Sequence, residues 1–327
     1  MIAILTSLIL TIVALLMASL SIGDVPLSWR DITAALLHTG YAPQTETIVL
    51  DLRLPRALLA LLVGMGLGAA GALVQTVMRN PLAEPGILGI NAGAALFVTV
   101  LIVAFPAVSI AFLPWAGFAG ASATAALVYA LSWRQGTSSL RVILIGIGVG
   151  SVVGAGTTVL MAFGDIRYVQ RAMIWLAGSV HDGDWHRVRT LLLWIAPPLA
   201  LACMFWRELD LIRLGDQTAR ALGQRVEHAR GMAIVLCTLI AGAVVAFAGL
   251  IGFVGLVAPH IARFIAGPGH SRLLPVAALT GGVLVMAADL LGRTIVAPAQ
   301  LPAGLVAALI GAPFFGWLLW RRRHVPA

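Results

Sequence analysis

Long apolar runs separated by short polar stretches dominate the chain. Ten of them are candidate membrane spans, at about 3–22, 57–78, 87–104, 114–133, 141–163, 189–206, 231–250, 252–266, 273–293 and 302–320. The runs are continuous and do not alternate with a period of two, as the strands of a membrane barrel would. The pattern therefore predicts an all-α, polytopic membrane protein with about ten transmembrane helices, several short or broken. A straight span needs about 20 residues, and several runs fall short of that. Between 231–250 and 252–266 the separation rests on Gly249, Gly252, Gly255 and Pro259, which break one long run into two. Lipid tolerates such a break only where protein or a water-filled cavity covers the freed backbone groups. The prolines and glycines of MRNPLAEPGILGINAGA (78–94) likewise exclude a continuous helix from 57 to 104. Asn80 and Asn91 are suited to satisfy backbone groups there, in a re-entrant turn or a constriction at the inner mouth.

One stretch interrupts the apolar pattern more than any other: RELDLIRLGDQTARALGQRVEHAR, residues 207–230. Arginines alternate in it with Glu208, Asp210, Asp216 and Glu227, a mixed-charge surface that cannot sit in lipid. Asp216 reads as an N-cap and Gly223 as a C-terminal stop. Between them lies a helix of barely two turns, with Ala219 and Leu222 on one face at i, i+3. So short a helix is marginal alone in water and must dock, on its own membrane domain or on a soluble partner. The arginines flanking it read mainly as topology signals.

Composition agrees. Of 327 residues 60% are hydrophobic and 10% charged, with a mean hydropathy of +1.00, against about 25% charge in soluble domains. All 21 basic residues are arginine. The pI of 11.1 does not point to nucleic acid, because no basic stripe with interleaved aromatics is present. Cys203 and Cys237 lie in apolar runs and suggest neither a disulfide framework nor a metal site. Residues 2–22 read as a retained first span, since no basic residue precedes them and the run is long for a cleaved leader. With ten spans and the N-terminus inside, the larger share of the arginines falls on the cytoplasmic side, together with 207–230. Asp24, Asp31, Glu46, Asp51, Asp165, Asp182 and Asp184 fall outside.

Residues 23–56 and 163–189 then form the large outer segments. The first holds a candidate amphipathic helix at Ser28–His38. Arg53 and Arg56 flank Pro55 at a helix entry and by themselves read as snorkelling anchors. Trp175 and Trp185 read as interfacial aromatics, and Asp182, Asp184 and His186 lack a metal-ligand spacing. Gly64, Gly68 and Gly71 mark a close-packed face. His260 reads as a packed histidine. Asp289 and Arg293 can pair at i, i+4. Trp317, Trp320 and Arg321–Arg323 form an aromatic anchor with a positive cytoplasmic tail. No phosphate-binding Gly-Lys-Ser/Thr loop, catalytic triad or carboxylate pair is present, so the chain reads as a transport path without its own motor. The alternative, an ion-coupled secondary transporter, requires an acid near the membrane midplane; Asp289 is the only acid well inside a predicted span.

Five motifs in register carry a resemblance: RLPR (53–56), RNPLAEPGILG (79–89), GDQTARALG (215–223), GFVGLVAPHIAR (252–263) and QLPAGLVAALIGAPFFGWLL (300–319). Together they resemble the FecCD family of ABC-importer permeases, which carry ferric siderophores, haem or vitamin B12. The resemblance implies a single permease domain over 1–327 in the bacterial inner membrane, with both termini cytoplasmic. It implies pairing with a second, identical or homologous permease subunit, separate ABC ATPase subunits that hydrolyse the ATP, and a periplasmic substrate-binding protein. No cofactor is implied. A ferric siderophore is the expected cargo, haem or cobalamin the alternative. By the same resemblance Asp216, Thr218, Ala219, Arg220, Leu222 and Gly223 couple to the ATPase, and Arg53, Arg56 and Arg293 dock the binding protein. Asn80, Leu82, Ser138 and Ser139 map to the inner gate.

Overall fold

The computed structural model describes residues 1–23, 25–39, 43–134 and 136–322, and every regular element among them is helical. Asp24 and Arg323, assigned above to the outer loop and the basic tail, lie outside the described residues, as do the side chains of Arg321 and Arg322. The chain runs through α1 (Ile2–Ser21), α2 (Trp29–Leu36) and α3 (Pro43–Glu46) into a π-helical segment, Thr47–Arg53, that continues as α4 (Leu54–Val77). There follow α5 (Ile90–Ala104), α6 (Leu113–Ser132), α7 (Ser139–Phe163), α8 (Ile166–Leu176), α9 (Trp185–Met204), α10 (Trp206–Arg213), α11 (Asp216–Ala221), α12 (Val226–Ala248), α13 (Val254–Ala266), α14 (His270–Thr294) and α15 (Ala303–Arg322). Seven of the helical stretches are long and apolar enough to cross a membrane, and α5, α13 and α15 are shorter apolar helices. Together these ten coincide with the ten predicted runs.

α4 is the hub, packed against α14, α12, α13 and α9. The predicted glycine face explains how. A Cβ on Gly64 or Gly68 would stand 2.1 Å from the carbonyl oxygens of Gly281 and Ala277 on α14, and one on Gly71 would stand 1.8 Å from Gly255 O on α13. Only hydrogen fits, so the backbones approach to contact and dispersion holds them. α1 lies peripherally on α14 and α4, and much of α7 is exposed.

The predicted break is real. α12 ends at Gly249 (φ 68°), and Phe253 adopts φ 64° before α13 starts. A carbonyl freed at the end of α12 is satisfied by protein: Ser179 N donates to Ala248 O at 2.7 Å. The turn at 78–89 is also as expected in kind. Asn80 Oδ1 accepts Leu82 N at 2.9 Å, and Pro85 reaches back to within contact distance of Gly255.

Two expectations are corrected, and one helix is added. Ser28 does cap α2 through a reciprocal capping box with Asp31, but the helix ends at Leu36. α8 was not foreseen: IRYVQRAMIWL is strongly amphipathic, but its arginines and eleven-residue length keep it from reading as an apolar run. The N-cap of α11 is Gly215 (φ 99°), not Asp216, because the Asp216 carboxylate is engaged elsewhere.

Candidate functional site

The 207–230 segment closes one end of the helix bundle. Ala219 is fully buried beneath α11, whereas Leu222 lies beyond the end of that helix and is 61% exposed. The two therefore do not share a face, because the helix stops at Ala221 and the chain turns at Gly223 (φ 83°). Gln217, Thr218, Arg220 and Leu222 are exposed together.

Beneath that exposed face the charges form a connected ring. Asp216 Oδ1 accepts Arg230 Nη2 at 2.7 Å and lies 3.7 Å from Arg79 Nη2. Arg230, on the first turns of α12, is fully buried, and its Nη1 donates to the carbonyl and hydroxyl oxygens of Thr137. Thr137 returns its backbone N–H (2.9 Å) and its hydroxyl (2.8 Å) to Glu227 Oε2. Glu227 Oε1 lies 3.4 Å from Arg220 Nη2 and 3.6 Å from Arg230 Nη1. Gly136 (φ 115°) makes the turn possible, since a side chain there would meet Glu227. Two residues after Thr137, Ser139 Oγ donates to Val77 O at 2.9 Å, and two residues after Val77 comes Arg79. The ring thus joins α11, α12, the α6–α7 turn and the end of α4.

The structure therefore brings the expected coupling residues and the expected gate residues into one assembly. Ser138 caps α7 by accepting Arg141 N at 3.3 Å, Ser139 ties α7 to α4, and Asn80 braces the turn that holds Leu82. Arg230 corrects the reading of the flanking arginines as topology signals. A charge buried among apolar helices must be paired, and Arg230 is the centre of the ring. The sequence signal for it was faint: a Glu227–Arg230 spacing of i, i+3 at the edge of an apolar run.

A second junction fixes α10. His270, buried at the start of α14, has Nδ1 2.7 Å from Asp210 Oδ1 and Nε2 2.6 Å from Thr76 Oγ1 on α4. Asp210 Oδ1 also accepts His270 N at 3.0 Å, so one carboxylate caps α14 from a different helix.

At the far end, Arg53, Arg56 and Arg293, expected to dock the binding protein, are each engaged by partners within the chain. Arg53 is only 8% exposed and donates to the carbonyls of Leu20 (2.6 Å), Ser21 (3.1 Å) and Val25 (2.5 Å), tying α1 to α4. Arg293 is similarly buried and donates to Ser19 O at 3.0 Å. Arg56 holds Asp289 bidentately, at 2.8–3.1 Å. The predicted Asp289–Arg293 pair is the weaker one, at 3.9 Å. Asp289 faces α4 squarely, and a guanidinium fork from that helix outcompetes the i+4 neighbour. Arg56 Nη1 also donates to Gln300 Oε1 at 2.8 Å. Above these arginines is a cavity of about 560 Å³, with Asp51, His181 and Gln300 on its lining. His260 packs edge-on against Phe314 at 6.4 Å.

Glu84, in the 78–89 turn, is held near the α12–α13 break by a hydrogen bond from the Phe253 backbone. Burial pushes its carboxyl above the ordinary value of 4.5, more than that bond lowers it. The folded state then binds the proton more tightly than the unfolded one. The stability this contributes is complete below the ordinary pKa and is lost as pH rises through the raised one. We expect Glu84→Gln to flatten the decline of thermal inactivation half-life as pH rises above the ordinary value of 4.5. A wild-type to variant ratio that does not change with pH would overturn this.

Comparison with known proteins extends these observations. The model of the FecCD transport family matches residues 10–321. The chain is 39% identical over 319 residues to the iron(3+)-hydroxamate import system permease protein FhuG of Bacillus subtilis, covering 95% of each. It is 38% identical over 322 residues to the hemin transport system permease protein HmuU of Yersinia pestis, covering 97% of this chain and 95% of that one. Its fold superposes on a solved metal-chelate type ABC transporter in an inward-facing conformation, with a TM-score of 0.89, 31% identity, and 98% of this chain and 100% of the other covered. With sequence and fold matched over nearly its whole length, this multi-pass membrane protein belongs to the FecCD transport family of ABC-importer permeases.

Proposed function

We propose that this chain is one permease subunit of an ATP-driven importer that moves a bulky iron chelate, a ferric siderophore, across the bacterial inner membrane. The carrying observation is the polar ring. It connects the exposed face of α11 to the ends of α4 and α7, where the gate residues sit. ATPase subunits dock on Thr218, Arg220, Leu222 and Gly223 from the cytoplasm. Nucleotide-driven closure supplies the differential contact a two-state membrane domain requires. Asp216 and Ala219 anchor α11 from below, so a push on it reaches Asn80, Leu82, Ser138 and Ser139 through Arg230 and Thr137. Both termini are cytoplasmic, in keeping with the arginine bias.

A second permease subunit completes the path. The exposed face of α7 supports this, since Gly148, Ser151, Ala155 and Thr158 lie among its exposed Leu144, Ile147, Val152 and Val159, and such small residues let a second helix approach closely. At the outer end a binding protein delivers the chelate, with an acidic group steered to the cavity above Arg53, Arg56 and Arg293. The iron chelate follows from the relatives, named for iron-hydroxamate and hemin import.

The test is Leu222→Glu and Arg220→Glu in vesicles reconstituted with ATPase subunits and binding protein. Losing a central docking contact costs on the order of 2 kcal/mol, about thirtyfold. Stimulated hydrolysis and uptake should both fall by about that factor, with membrane insertion unchanged. Normal stimulated hydrolysis would remove α11 from the coupling site.

A further inference from the structure

At the end opposite 207–230, α6, α8, α9 and the last turn of α12 enclose a groove of about 550 Å³. One part of its wall is aromatic. Trp194 makes edge-to-face contacts with Trp115 (4.8 Å), Phe118 (5.0 Å) and Phe247 (5.5 Å). The other part is charged, with Arg171, Asp182, Asp184, His186 and Arg187. A lining divided in this way fits an amphiphile.

The groove faces lipid rather than the interior of the bundle. Trp115 on its wall is 60% exposed, and Met232, Val235 and Leu239 are exposed lower on α12, whose stripe then runs beneath Phe118 at Gly242 to the buried Ala246 of the groove. α6 and α9 pack on either side of α12, so the groove is the top of a lipid-facing trough. Its surroundings belong to the headgroup layer. The neighbouring 105–112 turn exposes Phe105, Ile110 and Phe112, and α8 exposes Ile166, Met173 and Ile174 beside its arginines.

The charges at the mouth select the headgroup. Arg171 enters none of the ion pairs found among the described residues. Asp182 and Asp184 are exposed and stand 3.8 and 3.7 Å from Arg187, too far for tight pairing. Besides Arg187, which these two carboxylates flank, the mouth thus offers the Arg171 cation and two carboxylates with acceptor capacity left, although Asp184 Oδ1 already caps α9 by accepting Arg187 N at 2.8 Å. A phosphodiester fits the first and a primary ammonium the second. A phosphoglycerol headgroup would set its only charge near two carboxylates, and a choline headgroup has no N–H to donate to them. We propose that the groove between α6, α8 and α9 binds one phospholipid with a zwitterionic ethanolamine headgroup, its phosphate on Arg171, its ammonium on Asp182 and Asp184, and an acyl chain against Trp115 and Trp194. This inference requires only that the chain spans a membrane, and it stands apart from the coupling reading.

The test uses the full chain in mild detergent, offered phosphatidylethanolamine, phosphatidylglycerol or phosphatidylcholine, with retained lipid read by native mass spectrometry. Phosphatidylethanolamine should be retained about fivefold over the others, the effect of one well-placed charge contact. Arg171→Ala and Asp182→Asn should erase that preference. Acyl-brominated phosphatidylethanolamine should quench tryptophan fluorescence, and the quenched component should shrink in Trp194→Phe. Thr190→Trp, which fills the groove from its wall, provides a variant with the charges intact and should also abolish retention. Equal retention of the three lipids, or retention indifferent to these substitutions, would overturn the proposal. So would displacement of the lipid by a ferric hydroxamate, which would make the groove part of the cargo path.

Discussion

Arg230→Met should cost the folded protein roughly 3–5 kcal/mol, the range for removing one partner of a buried ion pair. Arg230 has no exposed surface, and its guanidinium supplies donors to Asp216 Oδ1 and to both oxygens of Thr137. Methionine fills most of the same volume, so the loss is one of charge and hydrogen bonds rather than packing. Asp216 and Glu227 are each 23% exposed. Water therefore compensates them in part, which points to the lower half of the range. Adding Asp216→Asn should restore some of the loss, because the carboxylate, left with only the more distant Arg79 at 3.7 Å, is then gone. The measurement is the thermal inactivation half-life of the purified chain for the two single variants and the double one. A loss below about 1 kcal/mol in Arg230→Met, typical of an exposed pair, would show that the ring carries no load.

The second large effect concerns a single methyl group. In Gly71→Ala the new Cβ would stand 1.8 Å from Gly255 O, where ordinary contact begins at 3.4 Å. The obstacle is backbone, so no rotamer change relieves it, and α4 and α13 must separate. Overpacking commonly costs about 1–3 kcal/mol and more where nothing can yield. Gly71→Ala should therefore give little folded protein. Gly148→Ala is the matched control, since nothing lies within 4 Å of a Cβ there and alanine favours the helix by up to about 1 kcal/mol. Recovery of monodisperse chain after detergent extraction reads both. Equal recovery of the two variants would mean that the α4–α13 approach is not needed for folding.

Much of the architecture was legible because lipid leaves the backbone little choice. Polar groups of the main chain must be satisfied within a helix or covered by protein, so apolar runs become helices and glycine–proline clusters become their breaks. The break at 249–253, the turn braced by Asn80 and the face of Gly64, Gly68 and Gly71 were all read this way. α8 escaped because an interfacial helix mixes arginine with isoleucine and methionine, which blurs the apolar signal. The site was half legible. The residue types at 216–223 and 138–139 were in view, but the ring that connects them was not.

The sequence by itself determined which long apolar segments are helices, where they break, and that one mixed-charge segment must stand in water against an apolar bundle. Those properties follow from the local succession of apolar, polar and glycine residues. Partner choice was decided only by the tertiary structure. Asp289 lies four residues from Arg293 yet takes Arg56, 233 positions away. His270 is capped by Asp210 at a separation of 60, and Arg230 finds Thr137 at 93. A buried charge takes whichever counter-group the packed backbones bring within about 3 Å in good geometry. That distance is set by how closely helices such as α4 and α14 approach, and no spacing along the chain encodes it.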